Sequence, residues 1–186
     1  MIGFAMCGSY CTHADAVKQM RSLVELGYDL QPILSENVSI TDTRFGRAKD
    51  LITTVENLCK REVIQSIVDA EPLGPKHPMD ALVICPCTGN TLAKMANGIT
   101  DTAVTMAAKA HLRSNRPLII ALASNDALSA NLKNIATMLS RKSVFFLPMR
   151  QDDPQKKPHS LVADFTSLLP TLECAMVGKQ YQRLFV

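Results

Sequence analysis

Cys85-Pro86-Cys87-Thr88-Gly89-Asn90-Thr91 follows directly on the apolar run Ala81 to Ile84 and holds the chain's densest set of ligand-binding groups. The hydroxyls of Thr88 and Thr91 and the amide of Asn90 place donors and acceptors at one point. Gly89 permits a tight backbone approach. Pro86 has no N–H to give to a sheet ladder, so the strand is expected to end at Cys85. Leu92 to Ala96 then reads as the first turns of a helix. In a parallel α/β sheet such a strand-loop-helix junction lies at the carboxyl end of the strands, where ligands bind.

Two further strand ends carry polar loops. Gly8-Ser9 comes after the apolar start Ile2 to Met6 and before a helical stretch, where free N–H groups and the helix dipole favour an anion such as phosphate. Ser9 and Thr12 add hydroxyls. The spacing is neither a dinucleotide fingerprint nor a Walker loop, which argues against adenine dinucleotides and nucleoside triphosphates. Ser124-Asn125-Asp126 supplies the third loop, and all three are expected on one edge of the sheet. Cys7, Cys11, Cys85 and Cys87 raise a four-thiolate metal site, but a Cys-x-Cys beside a Cys-x3-Cys matches zinc spacing poorly. Small residues at tight strand ends are the better reading, and no metal is expected. His13 borders the first loop, and His159 follows a charged segment. Either imidazole can reach a ligand, whereas His77 in a Pro-rich turn and His111 on a helix read as surface or packed residues. Arg44, Arg150, Lys156 and Lys157 can pair with ligand carboxylates, with solvated charge the plainer reading for the lysines.

These groups need a frame, and the chain supplies one. Its 186 residues carry no Gly/Ser-rich or Pro-rich linker, so one domain is expected, with the loop and helix of 148–178 packed upon it. Apolar runs alternate with amphipathic stretches, the pattern of strands wound with helices about a parallel sheet. Strands are expected at Ile2 to Met6, Asp29 to Leu34, Ala81 to Cys85 and Leu118 to Ala123, with a last one at Val144 to Leu147. Helices are expected from Thr12 to about Leu26, around Leu51 to Leu58, at Val63 to Val68, and over Thr91 to Asn97. Further helices are read at Thr102 to Arg113, Leu128 to Leu139 and Leu161 to Val177. Ser35 to Gly46, Pro72 to Pro78 and Pro148 to Pro158 read as loops. The net charge of +3 is small and aromatic residues are few, which argues against a nucleic-acid surface. No apolar run approaches the roughly 20 residues that cross a bilayer. With no secretion signal in view, a cytoplasmic protein is expected, and its six cysteines should be reduced thiols.

At Pro86 to Asp101 the chain resembles the flavin-binding, homo-oligomeric cysteine-decarboxylase-like flavoproteins. Their Pro-x-Ser-x-Asn-Thr motif is matched by Pro86 to Thr91 and continued by Leu92-Ala93-Lys94 and Asn97-Gly98. Gly8-Ser9 resembles their phosphate loop, and Ala123-Ser124-Asn125-Asp126 falls at their second Asn-bearing loop. The resemblance covers nearly the whole chain. It implies a three-layer, doubly wound parallel sheet of the Rossmann-like flavoprotein type, FMN as cofactor, and a homo-oligomer, a trimer or a multiple of one. Carried over residue by residue, it places Gly8, Ser9, Thr12 and Ser35 at the phosphate and ribityl chain, and Thr88, Asn90, Thr91 and Asn125 at the ring or substrate. Thr41-Asp42-Thr43-Arg44-Phe45-Gly46, Glu71-Pro72-Leu73-Gly74-Pro75, Gln151-Asp152-Asp153-Pro154 and Ser160-Leu161-Val162-Ala163-Asp164 narrow the likeness to a sporulation branch. That branch implies the mother cell of a spore former and a partner subunit carrying NAD(P). It also implies a small heterocyclic dicarboxylate formed from a dihydro-level lysine-pathway intermediate. Arg44, Arg150 and His159 are the candidates for that dicarboxylate.

The likeness has a gap. The family's decarboxylases carry a histidine whose position falls near Pro72 here, aligned by the Asp that matches Asp80, and His77 lies too close to Asp80 to replace it. Thr88 stands for the usual serine and keeps the hydroxyl. Decarboxylation is therefore disfavoured, no catalytic residue is assigned, and flavin-assisted oxidation or a non-catalytic, activating role gains weight.

Overall fold

A computed structural model of the chain describes residues 1–74 and 76–186; Pro75, the end of the Glu71-Pro72-Leu73-Gly74-Pro75 motif, lies outside the described residues. The strands are β1 (Ile2–Met6), β2 (Leu30–Leu34), β3 (Ala81–Cys87), β4 (Leu118–Ser124), β5 (Val144–Phe146), β6 (Met149–Arg150) and β7 (Leu161–Ala163). The helices are α1 (His13–Glu25), α2 (Glu36–Ile40), α3 (Ala48–Cys59), α4 (Ile67–Ala70), α5 (Gly89–Ala96), α6 (Ala103–Leu112), α7 (Leu132–Leu139) and α8 (Leu168–Met176).

The sheet runs β2-β1-β3-β4-β7-β6, with β5 paired to the first half of β4 and β7 to its last residues. Strands β1 to β5 pair in parallel, and β6 and β7 add antiparallel. Both faces of the central strands are buried, so their sequences are continuously apolar. Phe4, Met6, Val83 and Ile119 face one core with Met20 and Leu23 of α1, Val55 of α3 and Leu172 of α8. Ala5, Leu82, Ile84 and Ile120 face the other with Leu92 of α5, Val104 of α6 and Ile135 of α7. The result is the expected three-layer, doubly wound α/β sheet. Because β2 and β3 lie on opposite sides of β1, successive crossovers leave β1 in opposite directions, and the loops after β1 and β3 separate into a crevice.

Several expected boundaries move. Strand β3 continues through Pro86 to Cys87, since its pairing with β4 shifts register between Ile84 and Cys87, and such irregularities admit proline. The Pro86 carbonyl still accepts from Cys7 N at 3.0 Å. After the shift Cys87 faces the same core as Leu82 and Ile84, while Cys85 faces the other. Val63 to Val68 is not one helix: Ile64 bridges to Ile33 and completes the edge of β2, leaving only α4. Leu161 to Val177 is likewise divided, because Leu161–Ala163 pairs with β4 and β6 before the chain turns helical. Val144 to Leu147 is therefore not the last strand. Leu128 to Asn131 of the expected helix is turn, and α7 starts at Leu132 because Asn131 is held by Asp126.

Candidate functional site

The loop after β1 is tied to itself. Ser9 N donates to Cys7 O at 2.8 Å, and Thr12 Oγ1 donates to Ser9 O at 2.8 Å. Thr12 thus sits at the start of α1 without capping it through its side chain. His13 Nε2 lies 2.8 Å from the same Cys7 carbonyl, which requires the ring to donate and selects the Nε2–H tautomer. Burial lowers its pKa and the bond to Cys7 opposes that.

After β3, Thr88 caps α5. Its hydroxyl accepts from Thr91 N at 3.2 Å and donates to Thr91 Oγ1 at 3.1 Å. The Thr91 hydroxyl in turn donates to Cys7 Sγ. Thr91 is 7% exposed, so its hydroxyl works between loops rather than at the surface. Burial pushes the Cys7 thiol up to about 11 and the Cys85 and Cys87 thiols well above their usual range, leaving them protonated.

The loop after β4 builds a floor under Gly89. Asp126 accepts from Ser124 Oγ and, at 2.9 Å, from Asn131 Nδ2, while Asn134 Nδ2 holds Asn131 Oδ1 at 2.8 Å. These bonds, Ser124 first, hold the Asp126 carboxyl below its ordinary range. A Cβ on Gly89 would collide with Ser124 Oγ and lie 2.6 Å from Asn131 Nδ2, so only glycine lets α5 start here.

The three loops enclose one cleft of about 450 Å³, lined by Gly8, Ser9, Thr12, Thr88, Asn90 and Asn125. An adjoining cavity of about 350 Å³ shares Gly8, Tyr10, Thr88 and Asn90 and adds Ser35, Glu36, Thr91 and Lys94. Both volumes suit a small molecule or cofactor. Glu36 Oε1 accepts from Ala103 N at 2.8 Å, at the positive end of α6. Its Oε2 is buried and has no hydrogen-bond partner among the described residues. A buried acceptor of this kind costs stability unless something donates to it, which fits a ligand bearing N–H or O–H groups.

The eight residues expected around a cofactor therefore converge: Gly8, Ser9, Thr12, Thr88, Asn90 and Asn125 on the cleft, Ser35 and Thr91 on the adjoining cavity. Arg44 lines the cleft rim, whereas Arg150, an exposed residue of β6, and exposed His159 are not among its lining residues. Lys157 takes that place, paired with Asp152 at 2.7 Å. Glu36 and Phe45 line these cavities without having been singled out in the sequence as ligand contacts, and Asp126, read there only as part of the Ser124-Asn125-Asp126 loop, builds the floor. Glu36 left a signal, as an acid beside Ser35 at a strand end. Among the described residues, no three His, Cys, Asp or Glu side chains are grouped to hold a metal, and no helix is long and apolar enough to cross a membrane.

The family model described as Flavoprotein matches residues 1–166. The B subunit of dipicolinate synthase from Bacillus subtilis (strain 168) is 45% identical over 185 residues, covering 100% of this chain and 92% of that protein. The crystal structure of the B subunit of dipicolinate synthase from Bacillus halodurans C superposes with a TM-score of 0.91 at 42% identity, covering 100% of this chain and 95% of that one. The FMN-dependent cysteine decarboxylase SpaF shares the fold at a TM-score of 0.64 and 21% identity, covering 95% and 94%.

Proposed function

Since the chain belongs to the flavoprotein family, we propose that it binds FMN at the three-loop cleft and serves as the B subunit of dipicolinate synthase. In this reading it works with an A subunit that carries NAD(P), in the cytoplasm of a sporulating mother cell. The net reaction takes two electrons and two protons from a dihydro-level heterocycle to give the aromatic dicarboxylate, with the partner's NAD(P) as the final electron acceptor. The convergence of Gly8-Ser9, Thr88 to Asn90 and Asn125 on one cleft carries the reading. The unpartnered Glu36 Oε2 in the adjoining cavity supports it.

FMN, when bound, supplies electron-transfer chemistry, and the protein's share is binding and orientation. Gly8 and Ser9 hold the phosphate, Asn90 and Asn125 face the ring or substrate, and Glu36 Oε2 accepts from a ligand N–H or O–H. Thr88 and Thr91 act one step back, through the cap of α5. An absorption spectrum of the purified protein between about 350 and 500 nm tests the cofactor. A flavin band, or flavin uptake by calorimetry, is expected; absence of both, with and without the partner subunit, overturns it.

A second reading, a non-catalytic subunit that activates its partner, draws on Asp80. This residue precedes β3 at the end of the sheet opposite the cleft and pairs with the Met1 amine at 2.8 Å, and among the described residues no histidine hydrogen-bonds to it. Undiminished turnover of a reconstituted complex in which this chain carries Asn90→Ala and Asn125→Ala would favour it.

A further inference from the structure

Arg44 and Phe45 occupy the tip of a tight hairpin at the rim of the cleft, and the cofactor reading assigns neither of them a contact. Thr43 N donates to Gly46 O at 3.0 Å, Gly46 N donates to Thr43 O at 3.1 Å, and Phe45 N donates to Thr43 Oγ1 at 3.1 Å. Gly46 at φ +148° closes the turn, in a region that side-chain-bearing residues rarely adopt. Behind the tip, Asp42 Oδ1 accepts from Ala48 N at 2.9 Å, and Arg47 grips Asp50 through two bonds of 2.9 Å. A tip built this firmly fixes the backbone that carries its side chains.

It presents them to the cleft. The Phe45 ring is 54% exposed and the Arg44 guanidinium lies over it at 4.8 Å. Both residues line the rim of the three-loop cleft, and Phe45 also walls an apolar cavity of about 420 Å³ beside α1 and α3. Elsewhere on the same rim, from a distant part of the chain, stands Lys157, held by Asp152 and bordered by Ser160, which is 1% exposed. An aromatic face offers a stacking partner to a planar ring. A guanidinium forks onto a carboxylate, and an ammonium meets another as a point charge.

We propose that Arg44, Phe45 and Lys157 form a clamp for a planar heteroaromatic dicarboxylate, with the ring on Phe45 and one carboxylate at each cation. The clamp rests on the function proposed above and narrows it: these three side chains, with neither Arg150 nor His159, set specificity for the acid, apart from the Gly8-Ser9 end that takes phosphate.

Calorimetry on the full chain separates the two ideas, with pyridine-2,6-dicarboxylate as one probe and FMN as another. Arg44→Gln and Lys157→Gln are each expected to weaken the dicarboxylate by about tenfold or more while leaving FMN within about twofold. Phe45→Ser should do the same, and pyridine-2-carboxylate should bind the wild type about tenfold more weakly than the diacid. All are surface changes, and an unchanged melting temperature verifies the fold. The clamp is overturned if the wild type does not bind the diacid with or without FMN, if the variants bind it normally, or if they weaken FMN equally. A wild type that takes the diacid but no FMN removes the cofactor reading and leaves the clamp standing.

Discussion

The Thr91 hydroxyl donates to the Cys7 sulfur across 3.3 Å and so fastens the first turn of α5 to the residue that leads into the Gly8 loop. Thr91→Val keeps the shape and removes that link, together with the bond from Thr88. A loss of about 1 kcal/mol in urea unfolding is expected. Flavin affinity should fall by less than about threefold, since the hydroxyl faces protein. A large affinity loss at unchanged stability would instead make Thr91 a direct ligand contact.

Gly89 and Gly8 make opposite tests. Alanine at Gly89 must displace the Ser124 hydroxyl and the Asp126–Asn131 pair, and should cost about 1 to 3 kcal/mol. Alanine at Gly8 would place its Cβ 3.5 Å from the Tyr10 ring, an ordinary contact. Gly8→Ala should therefore melt like the wild type, and any loss of flavin it shows reports on the ligand's approach to the loop backbone. Thermal melts read beside flavin titrations distinguish the two; a Gly8→Ala protein that melts early contradicts this account.

The sheet and the three loops were legible because β1, β3 and β4 are buried on both faces, and a run of Ala, Val, Ile and Leu has few other uses in a chain of this size. Strands β6 and β7 were not. They have two and three residues, too few to show a period, and Leu161–Ala163 runs into the apolar positions of α8. The bulge at Pro86 arises from pairing with β4, which no local rule contains. Site residues divided in the same way. Cleft-lining positions on the strand-end loops were readable from their polar residue types, whereas Lys157 lines the cleft and Arg150 and His159 do not because of how the segment after β6 folds back, and Phe45 reaches the rim through the hairpin.

Asp126 links acid stability to the floor of the site. The Ser124 hydroxyl, then the Asn131 amide, hold its carboxyl below the ordinary 3.8. A depressed folded pKa means that the unfolded chain binds the proton first, so this contribution is full above the ordinary value and is lost as pH falls through the folded one. Asp126→Asn should be less stable than wild type at pH 7, with a gap that narrows below about pH 4. Urea midpoints across that range decide it, and a gap independent of pH would mean the carboxylate charge is immaterial.

His111 makes a second pH link on α6. It is 1% exposed, its Nε2 lies 2.9 Å from Pro117 O, and burial lowers its pKa from 6.5. The neutral ring is the folded form, so its contribution is complete above 6.5 and is lost as pH falls toward the depressed value. The ring C2–H resonance should titrate below 6.5 in the folded protein, and stability should decline as pH falls below 6.5. A midpoint above 6.5 would show that the Pro117 bond outweighs burial.

Asn90 and Asn125 carry the test of the cleft as a binding site. Both are exposed and line it, and among the described residues neither amide is committed to an internal hydrogen bond. Truncation therefore removes nothing that holds the fold, and Asn90→Ala and Asn125→Ala should each leave stability within about 0.5 kcal/mol of the wild type. A ligand that uses these amides loses a directional polar contact in each variant, so flavin affinity should drop by about tenfold per site. If the bound ligand contacts both amides at once, the double variant should lose less than the product of the single losses, because either change already loosens the ligand. Titration of FMN into the four proteins measures all of this directly. Equal affinity in all four would move the ligand away from the strand-end loops and leave the Asn90 position without a role.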